Sequence, residues 1–389
     1  MKRLLSQILL SALVGWCLAG NTKPIKIGEE FEIESKVMGE TRTVLVHLPT
    51  GYETANTAYP VLYMTDGQAH IRHTSGTVEF LATNGLMPRM IMVAITNTKR
   101  TRDLTPTHVA MEGRRANEES GGADRFLKFF EKELFPEIEK RYRTLPFRVF
   151  AGHSFGGTLA VHAYTKHPHL FNATIAVSPA LNWDDQVLLH QAEAFFKAEF
   201  DGKKTLFVTL GNEQGPMKES YFSFVELLKR QKNLNWGSHL FEDEDHGSVV
   251  LRSHYFGLKK VFDGWRPEQP FENLAQVQSH YKDLTERLGI QVEPPEPTVN
   301  MLGYRLLQRG DTKAALAAFN WNVDHFPNSA NVYDSLGDGY VGAGQLEKAV
   351  ESYKKAIEVG SKTGHPFMDA FKANYERAKQ QLAEKAKAS

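Results

Sequence analysis

Apolar residues recur along this chain with two different periods. Phe31 to Met38 and Arg42 to Leu48 alternate roughly in twos and meet at Gly39-Glu40, the pattern of a β-hairpin. Tyr59 to Met64 is apolar throughout and stops at Asp66-Gly67. Similar short runs follow at Met90 to Thr96, Phe147 to Ala151, Ala173 to Val177, Thr205 to Leu210 and His239 to Phe241. Runs of this length bounded by turn residues read as buried strands. Between them, Phe126, Phe130, Leu134 and Ile138 recur at i, i+4 with charges on the opposite side, and Thr158 to Tyr164 and Tyr221 to Leu228 also read as helices. Strands alternating with helices predict a mainly parallel sheet flanked by helices, preceded by an antiparallel start, over residues 23–266.

Beyond Trp265 the pattern changes. Pro267, Pro270 and Pro294-Pro295-Glu296-Pro297 bracket a helical stretch from Leu274 to Leu288, so 267–297 reads as a linker carrying one helix. Gly303 and Gly337, Gly310 and Gly344, Ala315 and Ala349, and Phe319 and Tyr353 then pair at one common spacing. That period, about 34 residues with small residues, alanine and an aromatic in register, is similar to the tetratricopeptide repeat. Residues 298–383 are therefore expected to form a small all-α domain of two repeats, closed by a helix from Met368 to Ala383. Two copies fall below the roughly three that stand alone, so they are expected to lean on neighbouring structure.

The N-terminus adds a compartment. Lys2 and Arg3 precede an apolar stretch, Leu4 to Leu18, followed by Ala19 and Gly20. This is the order of a secretory signal peptide over 1–20, which implies a periplasmic or secreted protein. The only cysteine, Cys17, lies inside it, so the mature chain would need no disulfide; a lipid anchor is disfavoured by the bulk of Trp16 before it. Without Lys2 and Arg3, 44 basic and 46 acidic residues remain. That balance argues against nucleic acid as a partner.

Gly152-His153-Ser154-Phe155-Gly156 carries the candidate chemistry. It ends a strand and opens a helix, where a G-x-S-x-G turn lifts a serine hydroxyl clear of the sheet. A serine turn in mid-sheet after an antiparallel start is the order of an α/β hydrolase, in which serine, acid and histidine follow one another along the chain. His246 follows the last strand-like run and stands where the base is expected; Glu213, in Gly211 to Gly215, stands after the preceding strand. Asp243 and Asp245 compete for the role of acid, and a serine-histidine pair without a third member is the other alternative. Oxyanion donors would be the backbone N–H of Phe155 and of Gln68, with Gly67 as the other choice. Arg100, in Lys99-Arg100-Thr101-Arg102, offers a guanidinium to an anionic group or belongs to an exposed charged loop. His70 and His73 lack cysteine or carboxylate companions and His167 and His169 read as surface residues, so no metal or cofactor is expected.

Several of these segments together resemble the putative esterase family of α/β hydrolases, the esterase D and ferri-enterochelin esterase group, and within it the IroE-like branch. They are Leu62 to Gln68, Asn97 to Thr105, Gly152 to Gly157, Ser178 to Trp183 and Asp245 to Ser248. The resemblance spans about 23–266 and implies a serine hydrolase of carboxylic esters, with Ser154 as nucleophile and His246 as base. It further implies a substrate pocket rimmed by the Arg100 loop and the Trp183 loop. The expected partner is a small-molecule ester, with a peptide or protein partner for the repeats. A non-catalytic interaction protein on a hydrolase scaffold, or acyl transfer or amide cleavage by the same residues, are the alternatives.

Overall fold

The computed structural model describes residues 25–53, 57–110, 118–197 and 204–388. The expected signal peptide, 1–20, lies outside them. Eight strands form one sheet: β1 (Glu29–Ser35), β2 (Glu40–His47), β3 (Tyr59–Met64), β4 (Ile91–Ile95), β5 (Thr144–His153), β6 (Ala173–Val177), β7 (Thr205–Leu210) and β8 (Asn235–Leu240). Their spatial order is β1-β2-β4-β3-β5-β6-β7-β8. β1 and β2 pair antiparallel, as do β2 and β4; every later pair is parallel. This is the expected mostly parallel sheet with an antiparallel start, and its fifth strand lies near the middle.

The alternation of β3 shows how helices cover both faces. Val61 and Tyr63 point into one apolar cluster with Phe126, Phe130, Leu159 and Phe224. Leu62 and Met64 point into the other with Val78, Leu81, Val249 and Leu258. Strands buried on both faces read as continuous apolar runs, which is why β3, β4, β6 and β7 are plain in the sequence. β8 differs. It starts at Asn235, earlier than expected, because an edge strand of Asn-Trp-Gly-Ser-His-Leu carries little apolar signal.

Four helices escape the hydrophobic pattern: α1 (Gly67–Thr83), α2 (Arg100–Leu104), and later α6 (Trp183–Lys197) and α8 (Val249–Val261). In α1 the buried face is built largely from Gly67, Thr74, Ser75 and Thr77, so its period is invisible to a hydrophobic count. The expected Phe126 stripe does form a helix, in three pieces: α3 (Ala123–Phe129), a π-helical turn (Phe130–Leu134) and α4 (Phe135–Arg141). α5 (Phe155–Lys166) and α7 (Pro216–Lys229) complete this layer.

The C-terminal region is all-helical: α9 (Leu274–Leu288), α10 (Glu296–Gln308), α11 (Thr312–His325), α12 (Ala330–Gly342), α13 (Leu346–Thr363) and α14 (Met368–Ala388). Asn273 caps α9 through Gln276 N, and Asp311 caps α11 through Ala314 N. One contact recurs. A Cβ on Gly303 would strike the Phe319 ring, and a Cβ on Gly337 would strike the Tyr353 ring. Gly310 and Gly344, both at positive φ, turn the chain between the helices of each pair. The segment 267–297 is more than a spacer, because Val277, Tyr281 and Leu284 of α9 share one core with Val149, Ile175 and Phe262. Trp265 meets Tyr281 edge-on at 6.4 Å, and Phe262 meets Phe147 at 5.6 Å. Among the described residues, no helix is long and apolar enough to cross a membrane.

The Gly337 contact yields a test. Gly337→Ala places its methyl carbon 2.6 Å from Tyr353 Cδ1, in a ring whose hydroxyl is already bonded to Asp338. Overpacking of this kind is expected to lower the unfolding free energy by about 1–3 kcal/mol in urea titration. An unchanged midpoint and slope would show that the ring simply moves aside.

Candidate active site

The C-terminal ends of β3, β5, β7 and β8 deliver the candidate groups to one edge of the sheet. Ser154 follows β5 directly and holds φ 59, ψ −118, a conformation costly for a non-glycine residue. Crowding enforces it. A Cβ on Gly152 would strike the Gly156 carbonyl, a Cβ on Gly156 would strike Thr65 Oγ1, and one on Gly157 would lie 2.8 Å from Val177 O. The Ser154 amide donates to Val177 O at 2.9 Å, tying the turn to β6. The hydroxyl therefore sits at the N-terminus of α5, whose first amide is that of Phe155.

A second helix begins beside it. Asp66, two residues after β3, sits in the left-handed region at φ 55, and α1 starts at Gly67. Ala69 N and His70 N both bond to Asp66 O, at 2.9 and 3.2 Å. Gly67 N and Gln68 N precede them in the first helical turn, where amides lack intrahelical acceptors. Gly67 itself is buried with its would-be Cβ 2.9 Å from Ala94 C, whereas Gln68 is exposed. Two helix N-termini thus bring N–H donors to the edge that holds Ser154.

Arg100 joins these two turns. Its Nε donates to Asp66 Oδ1 at 2.7 Å, and its Nη2 donates to Asp66 Oδ2 at 3.2 Å and to His153 O at 3.1 Å. The guanidinium also lies 5.6 Å from the Phe155 ring centre. Phe155 in turn meets Trp183 edge-on at 5.2 Å, and Trp183 Nε1 donates to Thr107 Oγ1 at 3.1 Å. Arg100 and Trp183 do flank Phe155, but much of the Arg100 fork is directed inward at protein acceptors. Trp183 opens a strained turn: Asp184, Asp185 and Gln186 all have positive φ.

His246 arrives in the loop after β8. Its Nδ1 is 2.6 Å from Glu213 Oε1, which leaves Nε2 as the unprotonated nitrogen of a neutral ring. The rival acids are engaged elsewhere. Asp243 pairs with Arg252 at 2.6 Å, and Asp245 Oδ1 accepts from the amides of Gly247 and Ser248, both at 2.8 Å. Gly211 lets the two loops meet, since a Cβ there would lie 2.9 Å from Glu244 O. Burial pushes the Glu213 carboxyl up, but its bond to His246, helped by the nearby Ser178 hydroxyl, holds it below the usual carboxylate value. Its Oε2 is buried and makes no hydrogen bond.

His153, inside the serine turn, carries no signal of its own in the sequence, yet it holds the His246 loop. Its Nε2 donates to His246 O at 2.6 Å, and the two rings lie 4.6 Å apart. Burial, reinforced by His246 and His70, pushes its pKa down to about 4, so it is a neutral donor. His70 bonds His73 at 3.0 Å, and His254 bonds Thr74 at 2.9 Å. Burial lowers the pKa of all three. His70 and His73 are therefore part of a neutral layer behind the turn, and the one group of three metal-capable side chains found among the described residues lies elsewhere, at Asp124, His162 and His167.

Residues 35–252 match the family described as Putative esterase. The siderophore triacetylfusarinine C esterase of Aspergillus fumigatus is 30% identical over 285 residues, which is 62% of this chain and 95% of that protein. An IroE-like serine hydrolase of Shewanella oneidensis superposes with a TM-score of 0.69 at 31% identity, over 77% of this chain and 99% of that one. An uncharacterised protein of Capnocytophaga ochracea shares the fold more widely, with a TM-score of 0.61 at 16% identity over 90% of this chain and 99% of that one.

The Asp66 anchor sets a pH dependence. Burial pushes its carboxyl up, but the Arg100 fork and Asn97 outweigh that and hold it below its ordinary value. The unfolded chain then binds more protons in acid, so stability rises with pH there. The contribution is complete above the unfolded pKa and is lost as pH falls through the folded one. Asp66→Asn is expected to be less stable than wild type at neutral pH and to lose less on acidification. Parallel acid slopes in urea titrations would refute this role.

Proposed function

The chain belongs to the Putative esterase family and is a carboxylic ester hydrolase; on that premise we propose that Ser154, His246 and Glu213 carry out the hydrolysis. The observation that carries this reading is the 2.6 Å bond from His246 Nδ1 to Glu213 beside the strained serine turn. Ser154 Oγ bonds to the ester carbonyl carbon while His246 Nε2 takes the hydroxyl proton. The amides of Phe155 and Gln68, with Gly67 next to it, stabilise the developing oxyanion. The alkoxide leaves with the proton returned by His246, and water then cleaves the acyl-enzyme by the same steps. Glu213 holds the imidazole tautomer and its transient cation.

The substrate reading follows the relatives. One is named a siderophore triacetylfusarinine C esterase, and another, from Bacillus subtilis and 29% identical, a ferri-bacillibactin esterase. We take the substrate to be a siderophore-type carboxylic ester held against Phe155 and Trp183, with Arg100 bracing that wall. Residues 1–20 would export the enzyme to the periplasm or medium. Residues 298–383 would form two tetratricopeptide repeats, a surface for a peptide or protein partner. The recurrent Gly303–Phe319 and Gly337–Tyr353 contacts support that assignment.

Hydrolysis of p-nitrophenyl esters tests the catalytic assignment. Ser154→Ala is expected to abolish turnover and labelling by a fluorophosphonate. Glu213→Gln should lower kcat by roughly 10⁴-fold, the scale seen when the acid of such a triad is neutralised. Asp243→Asn should leave kcat unchanged. A normal kcat in Glu213→Gln would remove it from the mechanism. An iron-loaded trihydroxamate or tricatecholate triester turned over no faster than a simple acyl ester would remove the siderophore reading alone.

A further inference from the structure

At the far end of α5 from Ser154, three side chains aim their donor atoms at one point. His162 Nε2 lies 2.7 Å and His167 Nε2 lies 2.9 Å from the same oxygen, Asp124 Oδ1. His162 projects from α5, His167 caps its C-terminus, and Asp124 stands in the first turn of α3. The protonation of His162 can be worked out from its neighbours. Thr165 Oγ1 donates to Val161 O at 2.8 Å, so it accepts from Gln191 Nε2, which also donates to His162 O at 3.4 Å. The Gln191 amide is thereby oriented, and its Oε1 faces His162 Nδ1 at 3.1 Å. Nδ1 must therefore carry a proton. In the neutral ring Nε2 is then a bare lone pair, aimed at a carboxylate oxygen.

Two acceptors facing each other require either a proton shared between ring and carboxyl or a metal ion, and the His162 side chain is only 5% exposed. His167, with its ring 5.8 Å from that of His162, supplies a further nitrogen to the same point. We propose that Asp124, His162 and His167 form a zinc site that staples α3 to the C-terminal end of α5. Two imidazoles and a carboxylate are a ligand set suited to Zn²⁺, with a water as the fourth ligand. The Asp124 side chain is 71% exposed, which leaves room for that water. Ligand atoms about 2.0–2.1 Å from zinc sit roughly 3.3 Å apart in a tetrahedron; the three here lie within 4.8 Å of one another, and the two contacts to Asp124, at 2.7 and 2.9 Å, must widen to admit the ion. Gln191 is the outer-shell partner that fixes the ring. The neighbouring Arg125 does not oppose the ion, since its guanidinium is turned to Val37 O and Met38 O, at 2.7 and 2.8 Å. His162 lies eight residues beyond Ser154, about 12 Å along the helix, so the ion takes no part in ester cleavage.

The full-length mature protein, stripped with a chelator, is titrated with zinc chloride at neutral pH by calorimetry and by thermal unfolding. One saturable equivalent that raises the unfolding temperature is expected. Asp124→Asn and His167→Ala, both at accessible positions, should abolish that temperature shift and weaken the equivalent at least ten-fold. Gln191→Ala should weaken it by about 10–100-fold through loss of ring orientation. Ester turnover by the stripped variants should match wild type, whatever residues prove to cleave the ester. No saturable binding, or binding and stabilisation unchanged in Asp124→Asn and His167→Ala, would overturn the proposal. Zinc that instead inhibits turnover equally in wild type and both variants would locate it at the histidines behind Ser154 and would also overturn it.

Discussion

The Arg100 fork is the interaction on which the site depends. It grips a carboxylate at the end of β3 and a backbone carbonyl at the end of β5, and so fixes the separation of two strained turns. Asp66 and Ser154 both hold positive φ, and each begins a helix. Neither turn would keep its conformation without surrounding structure that over-determines it. Glycines at 67, 152, 156 and 157 permit the approach, and the part-buried ion pair, with Asp66 inside and Arg100 at the rim, locks it. Breaking such a pair would strand the buried Asp66 carboxylate, so it fixes geometry more than it adds net stability.

The electrostatics around His246 follow from burial. His153 lies in the turn and His70, His73 and His254 form a layer behind it, and all are pushed toward the neutral form. A layer of neutral rings can donate and accept without placing positive charge beside His246. His153 uses this to hold the His246 carbonyl, while Glu213 holds its ring from the other side. Asp243 and Glu244 turn to Arg252, and Asp245 turns to backbone amides of the loop itself. One carboxylate of several is thus selected by contact rather than by proximity in the chain.

The helical C-terminal region is bound to the sheet by a shared core. Phe262 and Trp265, at the end of α8, lead directly into Val277 and Tyr281 of α9. α8 starts at the His246 loop and runs back along the sheet, so this junction forms near Phe147 and Met90, where β5 and β4 begin. The region therefore joins the body at the strand edge opposite Ser154. The α3–α5 contact at Asp124 is likewise removed from the serine turn, which lets the fold carry separate chemistry at the two ends of one helix.

Much was determined by local order alone. The parallel sheet was legible because buried strands are continuous apolar runs, and the serine turn because its glycines flank it in sequence. The helix pairs were legible because Gly303 and Phe319 recur as Gly337 and Tyr353. His246 and Glu213 were named from strand order, with Asp243 and Asp245 as competitors; that the His246 ring meets Glu213 depends on the crossing of two loops at Gly211. Helix α1 was hidden because threonine and serine form much of its buried face. The inward turn of Arg100, the part played by His153 and the meeting of Asp124 with His162 and His167 were not legible at all. Each depends on side chains brought together from distant strands or helices, and chain spacing carries no record of a contact that only packing creates.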